Sequence, residues 1–102
     1  MRAIEIQRWS SPDELVVSHV PEPTCGPDEV LIRVRAASVS YSLSLLVAGR
    51  YQRKPTLPFV PGNTAAGEVL AVGSAVTRLR PGDRVLASLE QGALAEQAVA
   101  HQ

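Results

Sequence analysis

Side chains that could polarise a bound molecule lie in three short segments of the sequence. They are Ser40 and Tyr41, then Tyr51, then Asn63 and Thr64. Hydroxyl and amide hydrogens stabilise an oxygen on which negative charge develops, and an aromatic ring stacks on a flat molecule. Each position also has a structural interpretation: Ser40 can cap a helix, Tyr51 can pack at the rim of the fold, and Asn63 and Thr64 can bond within a turn.

Thiol, imidazole and cationic groups are few in this sequence. Cys25 is the single cysteine, which excludes an internal disulfide and leaves too few ligands for a cysteine-based metal cluster. His19 lies in an alternating segment, and we interpret it as an ordinary strand residue rather than a base. Arg50, Arg53 and Lys54 can meet an anionic substrate, although a solvated loop is the simpler interpretation.

Alternation of apolar and polar residues predicts the strands that must position these groups. In Glu29–Ala36, the residues Val30, Ile32, Val34 and Ala36 would share one face, and Leu31, Arg33 and Arg35 the other. Similar short strands are predicted over Arg2–Gln7, Glu14–His19, Gly67–Val72, Asp83–Ser88 and Ala93–Ala100.

One segment departs from this alternation. Residues Ser40–Gly49 predict a short helix with a serine cap and a glycine stop, about two turns long. Several short strands separated by proline and glycine indicate a β-barrel or a sandwich. The predicted fold is therefore mainly β with one or two short helices.

Length and charge limit the classes of function. A chain of 102 residues, 45% of them hydrophobic, forms one domain with one core. Lysine plus arginine and aspartate plus glutamate both number 10, so neither nucleic acid nor a charged membrane surface is an expected partner. The longest apolar runs are far below the roughly 18 residues that span a bilayer, and the start is not typical of a signal peptide. We expect a cytoplasmic protein.

Several short motifs occur in the sequence, and their order and spacing identify a protein family more specifically than any one motif does. Together they resemble the GroES-like N-terminal domain of the medium-chain dehydrogenase/reductase superfamily, over nearly the whole chain. They are Gly26-Pro27-Asp28-Glu29-Val30-Leu31-Ile32, Gly49-Arg50-Tyr51, Pro58-Phe59-Val60-Pro61-Gly62, Ala66-Gly67-Glu68-Val69, Val72-Gly73, Pro81-Gly82-Asp83-Arg84-Val85 and Gly92-Ala93-Leu94-Ala95-Glu96.

The resemblance implies a partly open β-barrel over residues 1–102 that forms one wall of a cleft. A Rossmann domain forms the other wall in this superfamily, with the nicotinamide between them. The Gly-x-Gly-x-x-Gly loop of such a domain does not occur in these residues. We therefore expect a fragment or a single-domain version of a longer enzyme, with a natural stand-alone module as the alternative.

The resemblance also identifies a branch of the superfamily. In its zinc-dependent members, the catalytic metal is held by a cysteine matching Ser40 and by a histidine and a glutamate matching Asn63 and Thr64. Neutral hydroxyl and amide groups are poor zinc ligands. The four-cysteine loop of the structural zinc has no counterpart after Val85 either. We expect no zinc, which leaves the zinc-free branch of quinone oxidoreductases, ζ-crystallin-like proteins and enoyl reductases.

Members of that branch transfer a hydride from NADPH to a quinone or an α,β-unsaturated carbonyl. By resemblance, Tyr51 is the catalytic candidate that polarises the carbonyl, and Ser40, Tyr41, Asn63 and Thr64 are the cofactor-binding candidates. NADPH is not expected to bind tightly to this chain alone, so the isolated chain should be inactive.

The sequence departs from the quinone reductase pattern at two places. An Asn-x-x-Asp pattern that often opens the short helix is replaced by Ser40-Tyr41-Ser42-Leu43, and a usual glutamate is replaced by Thr64. Three explanations stay open: an unusual acceptor, compensation by water and the Rossmann domain, or weakened activity. The alternative function is a non-catalytic binding or assembly module. A surface made to pack on a second domain would also favour homo-oligomers when it is exposed.

Overall fold

The computed structural model describes residues 1–50 and 55–101 of the chain. Its elements, in chain order, are strand β1 (Arg2–Ile4), a 3-10 turn (Pro12–Glu14), strands β2 (Val17–His19) and β3 (Glu29–Ala37), helix α1 (Tyr41–Val47), and strands β4 (Thr64–Val72), β5 (Arg84–Ser88) and β6 (Gln97–His101). Within this part of the chain, no helix is long and apolar enough to cross a membrane.

The strands form two antiparallel sheets. Four of them follow the order β5-β4-β3-β6, and β1 pairs with β2. The sheets meet where Ala3 bridges to Ala95 and the Ile4 N–H donates to the Leu94 carbonyl at 2.9 Å. The result is an open, not closed, barrel, and it confirms the predicted mainly β, GroES-like fold with a short helix.

The inner face of the four-stranded sheet holds the larger core. Val30, Ile32 and Val69 are each at most 2% exposed. Ala87 and Ala100 complete this cluster from β5 and β6. Burying a side chain such as valine or isoleucine stabilises a fold by about 1.5–3 kcal/mol, so this face fixes the register of the sheet.

A β-bulge in β3 changes which side chains face the core. Val34 pairs with Gly67 and Ala36 pairs with Ala66, so Arg35 is the extra residue. Val30, Ile32 and the half-buried Val34 follow the predicted face, but Ala36 is exposed. The prediction for Ala36 was wrong because alternation in one strand cannot reveal an inserted residue.

A second hydrophobic cluster, which the expectation of a single core did not include, places helix α1. Its Leu46 and Val47 pack with Ile6 and Phe59, and Trp9 lies over Phe59 with ring centroids 6.1 Å apart. Val47 is fully buried, and its carbonyl accepts a hydrogen bond from the Ser10 N–H at 2.9 Å. These contacts fix the position of the helix relative to the end of β3.

Most differences between predicted and observed strands lie at their ends. The segment Glu14–His19 is a strand only over Val17–His19, and Ala93–Ala100 only from Gln97 onward. In the other direction, β4 begins at Thr64 rather than Gly67. Helix α1 matches the predicted position.

Candidate functional site

The fold brings the four predicted cofactor-binding residues to one corner of the four-stranded sheet. Ser40 and Tyr41 lie where β3 has ended and α1 begins, and Asn63 and Thr64 lie where β4 begins. The Ser38 N–H donates to the Thr64 carbonyl at 3.2 Å, which joins the two segments directly. Residues more than twenty positions apart in sequence therefore form one site.

Ser40 takes the N-cap position of α1 without capping it through its side chain. Its backbone is extended, with φ −128° and ψ 169°, and its side chain makes no capping hydrogen bond. Its carbonyl accepts the Leu43 N–H at 3.1 Å. The structural alternative of a side-chain helix cap is therefore wrong for Ser40, which is exposed at the corner.

Tyr41 presents its ring to the surface. The residue is 80% exposed, and its carbonyl accepts a hydrogen bond from Ser44 Oγ at 2.7 Å. That bond lies within the first turn of α1 and anchors the backbone of Tyr41. The ring is thus an exposed aromatic surface beside the polar groups of the corner.

Asn63 and Thr64 bond to each other. Thr64 Oγ1 donates to Asn63 Oδ1 at 3.3 Å, so the local bonding considered from the sequence is present. The Asn63 carbonyl accepts the Leu89 N–H at 2.8 Å, which ties this position to the end of β5. Asn63 is exposed, so its side-chain amide lies at the surface of the corner.

The turn before Asn63 holds the pair in place. Gly62 has φ +105°, and a Cβ there would lie 2.8 Å from the Cβ of Ala93. The Gly62 carbonyl accepts the Ala93 N–H at 3.2 Å, and the Pro61 carbonyl accepts the Leu94 N–H at 3.0 Å. Glycine is required here by both its conformation and its close neighbours.

Ser88 is a site residue that the sequence did not reveal. It lies directly opposite Thr64 in the β4–β5 pair, so both side chains project from the same face. Ser88 is exposed and adds a hydroxyl group to those of Ser40, Tyr41 and Thr64. Only the register of β4 against β5 shows this, because Thr64 and Ser88 belong to separate sequence motifs.

Tyr51, the predicted catalytic residue, lies outside the described residues, as do Arg53 and Lys54. Arg50 is described and exposed. Its N–H donates to the Leu45 carbonyl at 2.8 Å, in the turn that ends α1. The polypeptide thus leaves the helix toward Tyr51 from the same element that carries Tyr41.

The corner is made of uncharged groups. Over residues 1–50 and 55–101, no group of three or more His, Cys, Asp or Glu side chains could hold a metal ion. Cys25 lies at the opposite end of β3, where its Sγ is 3.0 Å from the Glu29 carbonyl. His19 is exposed in β2, opposite Arg2. Chemistry at the corner therefore depends on hydroxyl, amide and aromatic groups.

Comparison with known proteins gives consistent results. Residues 26–101 match the family described as the alcohol dehydrogenase GroES-like domain. A quinone oxidoreductase of Lama guanicoe is 39% identical over 102 residues, which cover 98% of this chain and 31% of that protein.

Two solved structures that superimpose on this chain are oxidoreductases, as is the sequence relative. A probable oxidoreductase from Mycobacterium abscessus superimposes with a TM-score of 0.91 at 39% identity, covering 99% of this chain and 32% of that one. The Escherichia coli quinone oxidoreductase complexed with NADPH gives a TM-score of 0.90 at 27% identity, with 98% and 31% covered. The chain spans about a third of the length of these relatives.

Proposed function

The chain belongs to the alcohol dehydrogenase GroES-like domain family, and we propose that it is the substrate-side domain of a zinc-independent, NADPH-dependent oxidoreductase. The proposed enzyme reduces quinones or α,β-unsaturated carbonyls. The observation that carries the proposal is the convergence of Ser40, Tyr41, Asn63 and Thr64 at one corner. Relatives described as quinone oxidoreductases, one of them solved with NADPH, support the choice of reaction and cofactor.

The chemistry of the corner fits the nicotinamide end of NADPH. Hydroxyl and amide groups on Ser40, Asn63 and Thr64 match a neutral carboxamide, and the exposed ring of Tyr41 offers a surface for a flat heterocycle. NADPH, when bound, supplies the hydride. The phosphates and the adenosine require a second domain with a nucleotide-binding loop, which we propose the parent polypeptide contains.

The protein's part of the reaction is to orient the acceptor and to stabilise charge on its oxygen. In this proposal Tyr51 donates a hydrogen bond to the acceptor carbonyl, where negative charge develops as the hydride arrives. Ser88 provides a further hydroxyl donor on the face of the sheet that also carries Thr64. No Lewis acid is needed, and the side chains of Ser40, Asn63 and Thr64 are poor zinc ligands.

The first experiment is a titration of NADPH into the purified 102-residue chain, followed by nicotinamide fluorescence and paired with an assay of quinone reduction. We expect neither saturable binding nor turnover from the chain alone, and turnover from the full-length protein that contains it. Saturable binding with turnover by the chain alone would contradict the proposal, because the barrel would then hold a complete cofactor site.

A variant of the full-length protein tests the site. Thr64→Val removes a hydroxyl donor while keeping the side-chain shape, and we expect kcat/KM for the quinone to fall about tenfold. Thr77→Val is the matched control, because Thr77 is exposed in the loop between β4 and β5. Equal kcat/KM values for the two variants would show that the Thr64 hydroxyl has no role in the site.

A further inference from the structure

The outer face of the β4–β5 pair carries an ordered strip of side chains. The pairing has no register shift, so Thr64 opposes Ser88, Ala66 opposes Leu86, and Glu68 opposes Arg84. The intervening residues Ala65, Val69 and Ala87 are buried on the other face. We call these six paired residues, Thr64, Ala66, Glu68, Arg84, Leu86 and Ser88, the outer strip.

Polarity changes in order along the outer strip. It begins at the corner with the hydroxyls of Thr64 and Ser88, continues with Ala66 and Leu86, and ends in charged residues. Leu86 is 77% exposed and lies opposite Ala66, so the middle of the outer strip is apolar. Four residue steps along β4, from Thr64 to Glu68, separate the hydroxyl end from the charged end, a distance of about 13 Å.

The charged end carries an excess of arginine. Glu68 lies between Arg33 of β3 and Arg84 of β5 in the strand register. Its carboxylate already accepts from Arg35 Nε at 2.8 Å. In the described part of the chain, Arg33 and Arg84 make no salt bridge. Three guanidinium groups against one carboxylate leave the charged end cationic.

We propose that the outer strip binds an acceptor that carries an anionic tail. The carbonyl end lies at Thr64 and Ser88, an apolar spacer lies on Leu86 and Ala66, and a terminal carboxylate is held by Arg33 and Arg84. This inference rests on the proposed function and specifies its substrate class: an amphipathic carbonyl compound rather than a small neutral quinone.

Charge and spacing favour this occupant over other anions. Arg33 and Arg84 belong to strands on either side of β4, so they lie about 9.6 Å apart at the backbone with Glu68 between them. The sugar-phosphate backbone of a nucleic acid would leave the exposed Leu86 without an apolar partner. A tail that approaches along β4 reaches the arginine side chains from the apolar side.

A pair of probes tests the inference on the 102-residue chain. One is a naphthoquinone with a heptanoic acid side chain, and the other is its methyl ester, which differs only in charge. Both are titrated while backbone amide resonances are followed by NMR. We expect the acid to bind about fivefold more tightly than the ester, with shifts at both Thr64 and Arg84. Added salt should weaken binding of the acid alone.

Two double variants test whether the arginines of the strip, rather than the total charge of the protein, determine the affinity for the acid. Arg33→Gln combined with Arg84→Gln should bring the acid to the affinity of the ester and leave the ester unchanged. Arg2→Gln combined with Arg8→Gln removes the same charge from residues outside the strip, which pair with Glu96 and Glu14, and should keep the difference. Retention of native amide spectra shows that each variant is folded.

The outcomes distinguish this inference from the proposed function. Equal affinities of acid and ester, with shifts confined to Asn63 and Thr64, overturn the anionic tail and leave the quinone site intact. Shifts at Arg84 that plain heptanoate reproduces, with none at the corner, overturn the inference and also count against the proposed site. No shift with millimolar acid overturns the inference as well.

Discussion

Gly67 lies opposite Val34 and Val85 in the centre of the sheet, and a Cβ built there would overlap the carbonyl oxygen of Arg33. The obstacle is backbone in the neighbouring strand, so it cannot move aside like the end of a side chain. A glycine at this position is thus a packing requirement of the β3–β4 pair.

Gly67→Ala should lower the free energy of unfolding by about 2–3 kcal/mol, since β3 and β4 must separate to admit the methyl group. Urea unfolding followed by circular dichroism measures the loss. Gly26→Ala is the control: a Cβ there meets only the flexible carboxylate of Glu29, and the cost should stay below about 1 kcal/mol. Equal losses in the two variants would contradict the steric explanation.

Glu96 gives the protein a pH-dependent contact. Its carboxylate accepts the Arg2 backbone N–H at 2.6 Å and Arg2 Nη2 at 3.4 Å. The backbone hydrogen bond, more than the charge of Arg2, holds the pKa of Glu96 below its ordinary value. A lowered pKa in the folded state means that this stabilisation is present above the ordinary glutamate pKa and is lost as the pH falls through the lowered pKa.

Glu96→Gln should therefore reduce stability near neutral pH and make the decline toward acid shallower than in the unmodified chain. Urea unfolding midpoints measured from neutral pH downward test this expectation. Glu22→Gln is the control, because Glu22 is exposed and makes no salt bridge within residues 1–50 and 55–101. Parallel pH profiles for the unmodified chain and Glu96→Gln would show that Glu96 contributes no such stability.

Part of the site could be predicted residue by residue, and part could not. Ser40, Tyr41, Asn63 and Thr64 were identified through motifs, and the structure places them at one corner; their binding roles stay predictions. Ser88 escaped notice because its proximity to Thr64 depends on strand register, which neither segment reveals alone.

At the scale of elements, helix α1 ends in a Schellman motif. Gly49 has φ +73°, its N–H donates to the Leu46 carbonyl at 3.1 Å, and the Arg50 N–H donates to the Leu45 carbonyl at 2.8 Å. These two bonds satisfy carbonyls that the last turn would otherwise leave unpaired. The motif thereby fixes the backbone at the end of α1 as far as Arg50.

Replacing Gly49 with alanine should destabilise the chain by about 1 kcal/mol, because a Cβ disfavours the left-handed conformation. Gly49→Asn should cost less, since asparagine tolerates that conformation better. Both losses can be measured by thermal and urea unfolding. Identical losses for alanine and asparagine would mean that the cost has another origin.

Helix α1 and the centre of β3 could be predicted well from sequence, whereas the ends of other strands could not. Serine, an apolar run and glycine define the helix locally. By contrast, Ala93 and Leu94 bond to Gly62 and Pro61 rather than continuing β6, and Glu14 closes a turn onto Ser11 rather than beginning β2. Gly62 and Pro61 are distant in sequence from β6, and the bond of Glu14 to Ser11 depends on local turn geometry. A prediction based on alternation alone therefore makes these strands too long.

At the scale of the whole molecule, the large exposed apolar side chains are unevenly distributed. Val39, Tyr41 and Leu86 are 75–80% exposed and belong to the site corner and the adjoining strip. Val16 and Val17 are exposed on the other sheet. The corner thus combines polar candidates with exposed apolar side chains.

The isolated chain should self-associate through the corner, because a contiguous apolar patch larger than a few hundred Å² favours association. Val39→Ser combined with Leu86→Ser should shift the chain toward monomer in sedimentation velocity, while Val16→Ser combined with Val17→Ser should not. Both pairs replace valine or leucine at exposed sites, so a difference between them locates the contact. If only the Val16→Ser and Val17→Ser variant dissociates to monomer, the contact lies at the two-stranded sheet. The corner would then be stable in water without a domain that covers it.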